Sequence, residues 1–206
     1  MQETSGYLEE AAAVTKVVHD WALWRDTCAW QKLAASYTDD AHMRTTWFDG
    51  PASEFVAKSQ SMAGKGARAQ HFMGSTSVEV CGDRAIAQSR VVLLVRGGLA
   101  GTQVDVTCYG RFYDRLVKRA GRWLIQHREP IYEKDQVQPV VPGEAIALEP
   151  ALLAGYPEGY RYIAYLQSSG GATITPNLIE PNSAEQSRLY EQGEAWLSKG
   201  SSQLRG

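Results

Sequence analysis

The N-terminal part of the chain has the apolar periodicity of helices. Residues 7–20 combine strong helix formers with apolar positions three and four residues apart, and residues 21–37 continue the pattern with little interruption. The polar run Thr38-Asp39-Asp40 follows directly. We therefore predict helical structure up to residue 37, with a sharp end at Thr38-Asp39-Asp40.

The next segment changes from helical spacing to strict alternation. Residues 41–48 alternate in the manner of a strand, and Gly50-Pro51 indicates a turn. Ser53 is a suitable N-cap for a short helix that Gly64 and Gly66 would end. We therefore expect one strand, a turn and one short helix here.

The middle of the chain predicts long strands joined by short turns. Segments 78–80, 85–95, 104–117 and 122–130 are rich in β-forming residues, and Gly82-Asp83 lies between the first two. Short turns between long strands favour antiparallel hairpins. Helices followed by such a meander are the pattern of an α+β fold.

The C-terminal part has a different composition. Residues 136–150 are rich in Pro and Val and predict an extended connector, residues 157–167 are rich in Tyr, and residues 184–198 have helical spacing. This part is too short for a core of its own. We predict a domain over residues 1–135 and an extension, 136–206, that packs on it or on a neighbouring subunit.

Composition and charge narrow the possible partners. The chain has 206 residues, 44% of them hydrophobic and 21% charged, and a formal net charge of −2. Without a basic surplus, a nucleic acid is not an expected partner. No apolar run reaches the roughly 18 residues of a membrane span, and the N-terminus lacks the pattern of a signal peptide.

The cysteines and the short motifs argue against a metal site. Cys28, Cys81 and Cys108 are too widely spaced for a metal motif or a disulfide framework, which favours reduced residues in a cytoplasmic protein. The chain has no His-Glu-x-x-His or Cys-x-x-Cys motif and no phosphate-binding glycine loop. We therefore expect neither a metal nor another cofactor.

One acid interrupts an apolar helical surface. Asp26 lies where the apolar side of the first helical region would otherwise continue, and a carboxylate there costs several kcal/mol unless it is paired. His71, in the segment Gln70-His71-Phe72-Met73-Gly74, is a suitable partner. Asp with His beside an apolar cavity is typical of proton-transfer enzymes. The alternative is a solvated Asp26 and an unrelated His71.

The order of several motifs resembles that of a known family. The similarity covers roughly residues 7–135 and is to the SnoaL-like branch of the NTF2-like superfamily, with its hexachlorocyclohexane dehydrochlorinase and scytalone dehydratase-type members. The residues that carry the resemblance are Asp26, Trp30, Leu33, Tyr37-Thr38-Asp39-Asp40-Ala41, His71-x-x-Gly74-x-Thr76 and Gly121-Arg122-Trp123-Leu124-Ile125.

This resemblance implies a fold and a set of site residues. The fold would be a cone, in which a strongly curved mixed or antiparallel sheet wraps around the N-terminal helices. Asp26 and His71 would be catalytic, together with Arg128, which would hold a substrate oxyanion unless it forms a salt bridge with Glu129 or Glu133. The residues expected to line a substrate pocket, or else a closed core, are Trp21, Met43, Trp47, Cys108, Phe112 and Tyr132.

The implied chemistry is elimination or isomerisation without a cofactor. In this interpretation His71 is the general base and Asp26 its partner, and the substrate is a small hydrophobic or aromatic molecule. The reaction would be a dehydration or another elimination, including release of formaldehyde from a lignin-derived aromatic diol, or an isomerisation. We expect a homodimer or homotrimer. The alternative function is a non-catalytic ligand-binding or subunit-interaction module, such as the small subunit of a ring-hydroxylating dioxygenase.

Overall fold

The computed structural model of the protein describes residues 2–64 and 68–200. Its first half alternates helices and short strands, its middle forms four long strands, and its last part is helical. The elements are α1 (Gln2–Asp26), α2 (Trp30–Ala34), β1 (Tyr37–Thr45), β2 (Phe48–Pro51), α3 (Ala52–Gly64), β3 (Arg68–Cys81), β4 (Arg84–Leu99), β5 (Thr102–Arg119), β6 (Arg122–Pro139), α4 (Pro150–Ala154), a 3-10 turn (Glu158–Tyr160), α5 (Arg161–Ser169) and α6 (Ala184–Ser198).

The strands form one six-stranded sheet in the order β2-β1-β6-β5-β4-β3. All neighbours are antiparallel except β1 and β6, which run parallel. The turn between β3 and β4 contains Gly82, whose φ of +60° suits a glycine. The predicted α+β cone, a curved sheet around N-terminal helices, is confirmed.

Two helix boundaries differ from the prediction. Helix α1 ends at Asp26 because Cys28 adopts a left-handed φ of 59° and the Ala29 N–H donates to the Trp24 carbonyl at 2.9 Å, a Schellman ending. The predicted helix end at Thr38-Asp39-Asp40 is wrong, because these residues belong to β1. Glycine or asparagine usually marks such an ending, and a cysteine gives no such signal.

Smaller corrections concern strand ends. The predicted turn at Gly50-Pro51 is part of β2, and Ser53 lies inside α3 rather than capping it. Helix α3 ends at Gly64 as predicted, whereas Gly66 lies outside the described residues. The strand predicted over residues 122–130 continues to Pro139 and takes in the first part of the predicted connector.

Helix α1 covers one half of the curved inner face of the sheet. Its residues Val14, Val18 and Trp21 are at most 1% exposed and share a core with Leu116 and Ile125. The valines follow a spacing of four, which places them on one side of the helix. The apolar face of α1 therefore covers this half of the sheet.

Helix α5 covers the other half of the same inner face. Val104, Val106 and Cys108 alternate along β5 on the face that also carries Phe112, and they pack against Ile163 and Leu166 of α5. The contact is close, because a Cβ on Gly97 of β4 would lie 2.9 Å from Leu166 Cδ1. Of the aromatic side chains in the extension, Tyr160 and Tyr165 are buried, while Tyr162 and Trp196 are half-buried.

Helix α6 lies on the opposite face of the sheet. Tyr113 of β5 points away from Phe112 and packs with Leu189 of α6. Gly193 permits the contact, since a Cβ there would overlap the Tyr113 hydroxyl. Among the helices that the structure describes, none is both long and apolar enough to cross a membrane.

Candidate active site

Asp26 and His71 are in direct contact. The Asp26 Oδ1 lies 2.7 Å from His71 Nδ1, and Asp26 Oδ2 accepts the backbone N–H of His71 at 2.6 Å. Both carboxylate oxygens therefore bind the same residue, which fixes the position and the rotation of the imidazole. The two side chains are 16% and 10% exposed, so they are largely shielded from bulk water.

Local structure explains how these residues meet. Asp26 is the last residue of α1, and the left-handed turn at Cys28 takes the chain away from the helix axis. His71 lies on β3, where Ala69, His71 and Met73 are partly buried and Phe72 between them is 70% exposed. Strand alternation thus turns His71 towards α1 and Phe72 towards solvent.

Two aromatic rings hold the imidazole from the inside. The Trp21 ring lies edge-on, 5.3 Å from the His71 ring centroid, and the Phe112 ring is 6.3 Å away. Since Nδ1 faces the Asp26 carboxylate, the favoured tautomer carries its proton there and leaves a lone pair on Nε2. Within the described residues, no hydrogen bond occupies Nε2.

His71 lies on the wall of an internal cavity of about 320 Å³. The cavity is bounded by the sheet, α1, α3 and the C-terminal end of α5, and most of its wall is apolar. The six residues predicted to line a pocket all lie on this wall, namely Trp21, Met43, Trp47, Cys108, Phe112 and Tyr132. The structure therefore brings these residues together with His71, and their role in substrate binding stays a prediction.

Burial keeps two polar residues of this wall, Cys108 and Tyr132, neutral. Burial raises the pKa of the Cys108 thiol and that of the Tyr132 hydroxyl, so both stay protonated at neutral pH. The Tyr132 oxygen accepts the backbone N–H of Thr46 at 3.2 Å. Cys108 is therefore a small apolar wall residue rather than a nucleophile.

Arg128 is placed differently from the sequence interpretation. Its guanidinium is fully buried and lies 4.0 Å from the Trp21 ring centroid and 4.3 Å from that of Phe112, and it pairs with Asp114 at 2.6 and 2.7 Å. The predicted alternative partners were Glu129 and Glu133, so the partner is also corrected. Arg128 is not among the residues that line the cavity, and its Nη1 is buried without a hydrogen-bond partner among the described residues. Its contact with a substrate oxyanion stays a prediction.

Part of the cavity wall was missed by the sequence analysis. The C-terminal end of α5 contributes Leu166, Gln167, Ser169 and Gly170, and three arginines, Arg25, Arg68 and Arg96, lie at the edge. The Tyr-rich composition of the extension indicated burial but not which helix face meets the cavity. Among the described residues, no group of three or more His, Cys, Asp or Glu side chains is arranged to hold a metal ion.

The fold and the Asp26–His71 pair agree with a sequence match to a known protein family. A family model for the SnoaL-like domain matches residues 6–129, and the chain belongs to this family. A PEP2-like protein of Fusarium vanettenii is 30% identical over 199 residues, covering 91% of this chain and 85% of that protein. Pea pathogenicity protein 2 of the same fungus is also 30% identical, over 78% of this chain and 70% of its own length.

Solved structures share the fold at low sequence identity. A scytalone dehydratase candidate from Novosphingobium aromaticivorans is 19% identical with a TM-score of 0.56, covering 70% of this chain and 99% of that one. A type 2 hexachlorocyclohexane dehydrochlorinase is 14% identical with a TM-score of 0.55, covering 69% and 95%. At these identities the comparison supports the fold alone, and the reaction has to be inferred from the geometry of the site.

Proposed function

We propose that this protein is a cofactor-independent lyase or isomerase that uses His71 as its general base. The observation that carries the proposal is the Asp26–His71 pair at 2.7 Å, with the imidazole on the wall of a mainly apolar cavity. A ligand-binding protein does not need a carboxylate that grips both the ring and the backbone of one histidine. A general base needs such orientation.

The reaction begins with proton abstraction by His71 Nε2. The substrate carbon acid lies in the cavity, and the proton moves to Nε2 while Nδ1–H keeps its hydrogen bond to Asp26. The Asp26 carboxylate stabilises the imidazolium that forms. The electron pair left on the substrate then expels a leaving group at the neighbouring carbon, or His71 returns the proton at another carbon.

Arg128 has a supporting place in this proposal. Its guanidinium contacts the faces of Trp21 and Phe112, the two rings that flank His71. Its Nε and Nη2 donate to Asp114, and its Nη1 is buried without a hydrogen-bond partner among the described residues, so it supports these rings from outside the cavity. It is therefore a positioning residue for the base.

The names of the structural relatives agree with this class of reaction. One neighbour is described as a scytalone dehydratase candidate and another as a hexachlorocyclohexane dehydrochlorinase. A dehydratase and a dehydrochlorinase both carry out eliminations. The cavity of about 320 Å³ is of a size that suits a small aromatic molecule. The substrate, the leaving group and the predicted homodimer or homotrimer remain proposals.

Proton abstraction can be tested before the natural substrate is found. Phenylacetone in deuterium oxide reports carbon deprotonation by NMR, and the aldol adduct of benzaldehyde and acetone reports dehydration by the ultraviolet absorbance of benzalacetone. The wild-type protein is expected to accelerate the exchange or the dehydration. Asp26→Asn should fold and lose most of this acceleration, since an amide does not stabilise the imidazolium.

The same assays separate the enzyme from the binding module. If the protein binds these molecules but accelerates neither reaction, the non-catalytic alternative is favoured. If Asp26→Asn keeps the full rate, the dyad is not the catalytic apparatus.

A further inference from the structure

Three arginines lie where the cavity opens towards the protein surface. Arg25, Arg68 and Arg96 line both the cavity that contains His71 and an adjoining surface depression. Arg25 lies in the last turn of α1, next to Asp26, and Arg68 and Arg96 are directly opposite each other in the β3–β4 pair. The cluster therefore borders the proposed site on the side of its base.

Only one of these cations has a carboxylate partner within residues 2–64 and 68–200. Arg96 pairs with Asp105 through two hydrogen bonds of 2.8 and 2.7 Å. Arg25 stacks on Trp30 at 5.6 Å, and no ion pair joins Arg25 or Arg68 to a described carboxylate. The Asp26 carboxylate next to Arg25 is already engaged by His71.

This arrangement costs free energy when it is empty. Like charges directly opposite each other in a strand pair are destabilising, and Arg68 and Arg96 occupy such positions. Arg25 is half-buried, and this burial lowers the pKa of its guanidinium. A half-buried guanidinium without a bound oxyanion loses hydration and gains no compensating hydrogen bonds. An anion at this point would offset both costs.

We infer that Arg25 and Arg68 bind an oxyanion group, a carboxylate or a phosphate, on a substrate whose apolar body occupies the cavity. This inference rests on the proposed function and names its substrate class, an amphipathic aromatic anion. Arg68 precedes His71 by three residues on β3, which places the two backbone positions about 10 Å apart and starts their side chains on opposite faces. Because β3 is the edge strand of the sheet, Arg68 lines the rim of the cavity from that edge. The separation between the two positions leaves room for an aromatic ring between the anionic group and the reacting carbon.

Arg96 has a secondary part in this site. Its pairing with Asp105 leaves its charge largely neutralised, so it adds less to anion binding than Arg25 or Arg68. The guanidinium groups of Arg25 and Arg68 present planar donors that match the two oxygens of a carboxylate or of a phosphate.

Calorimetry with matched ligands tests the inference. The probes are hydrocinnamate, its neutral amide and phenethyl phosphate, with the wild-type protein and the variants Arg25→Gln and Arg68→Gln. We expect at least one anion to bind about tenfold more tightly than the amide, with a ratio that falls as salt increases. Each variant should bring this ratio close to one and leave the affinity for the amide unchanged.

Arg90→Gln is the matched control. Arg90 also lies on β4, six residues before Arg96, but it is exposed, pairs with Glu133 at 3.4 Å and does not line the cavity. This variant should keep the wild-type ratio. Equal affinities for the amide and both anions in the wild-type protein would overturn the inference, as would a full preference in the Arg25 and Arg68 variants or no binding of either anion.

The His71→Ala variant separates this inference from the proposed function. Its preference for anions should persist through Arg68, although the Asp26 carboxylate freed next to Arg25 should reduce its size. A wild-type protein that prefers anions but catalyses no proton transfer would retain the anion site and reject the enzyme. A catalytic protein without any anion preference would do the reverse.

Discussion

The two halves of the cavity wall are held by different kinds of contact. At the α1 end, aromatic rings and paired charges surround His71, and each of them has at least two directed contacts. At the α5 end, aliphatic side chains such as Leu166 and Val95 pack on the same sheet face. Directed contacts fix atoms to within tenths of an ångström, whereas aliphatic packing fixes shape. In the proposed function, the α1 end supplies the chemistry and the α5 end selects the substrate.

The family match separates the same two halves. The SnoaL-like model covers residues 6–129, which include Asp26, His71 and Arg128, and ends before α5. The similarity to the PEP2-like protein of Fusarium vanettenii extends over 91% of this chain and so reaches into the C-terminal part. The family model therefore covers the α1 end, and the α5 end lies outside it but within the similarity to the PEP2-like protein.

Among changes at the α1 end, replacing the proposed base, His71, should lower activity the most. We expect His71→Ala to lower kcat by about two to four orders of magnitude, because a general base is lost. The fold should survive, as the side chain lies at a cavity wall. Turnover of the model substrates and circular dichroism would measure both effects.

His19→Ala is the control for the base. His19 lies on α1 and its Nε2 is 2.9 Å from Thr76 Oγ1, outside the cavity wall. Its replacement should leave kcat nearly unchanged. Wild-type turnover by a folded His71→Ala protein would remove His71 from the mechanism.

Breaking the buried ion pair should cost more stability than any change at the α5 end. Arg128→Leu leaves the fully buried Asp114 carboxylate without its partner, for which we expect a loss of about 3–5 kcal/mol in the free energy of unfolding. The double variant Arg128→Leu with Asp114→Leu should recover much of that loss. Denaturant titration measures both, and equal losses in the single and double variants would refute the role of the unpaired charge.

The sequence predicted the α1 end better than the α5 end. Asp26 was recognisable because a carboxylate interrupts an apolar helical surface, and His71 was recognisable from its position in the motif that resembles the family. Arg128 was misplaced because its position under Trp21 and Phe112 depends on how three elements pack. Long-range packing of this kind leaves no local pattern in the chain.

The predicted end of α1 and the wall residues of α5 were wrong or missed for a related reason. Cys28 adopts a conformation that glycine usually takes, so the end of α1 was invisible in the sequence. The wall residues of α5 were missed because the helix has nine residues, and its apolar side meets both the sheet and the cavity. The cone was expected from the resemblance rather than from periodicity, and its strand order was not predicted.

A smaller change at the α5 end should alter binding rather than chemistry. Leu166 is buried and fills the space above Gly97, so Leu166→Ala should lower the free energy of unfolding by about 2–3 kcal/mol. In the proposed function, KM rises severalfold and kcat changes little. Leu152→Ala, at a leucine that is 41% exposed, is the control. A fall in kcat with unchanged KM would show that the two ends are not separate.

The weakest expected effect concerns how α5 is anchored. Asp135 Oδ2 accepts the backbone N–H groups of Tyr162 and Ile163 at 2.6 and 2.8 Å, in the first turn of α5. Burial raises the pKa of Asp135 to about 6, despite these hydrogen bonds. Between its ordinary pKa, about 4, and this value, the folded protein binds more protons than the unfolded chain. Stability contributed by Asp135 is therefore present below pH about 4 and is lost as the pH rises to about 6.

Asp135→Asn removes this titration and keeps an oxygen acceptor for the two N–H groups. The difference in Tm between the wild-type protein and Asp135→Asn should fall as the pH rises from about 4 to about 6, and should then stay level. Asp105→Asn is the control of opposite sign, because the hydrogen bonds from Arg96 lower the pKa of Asp105. A Tm difference for Asp135→Asn that is level throughout would mean that the carboxylate is hydrated, and that the α5 end is held by its aliphatic contacts alone.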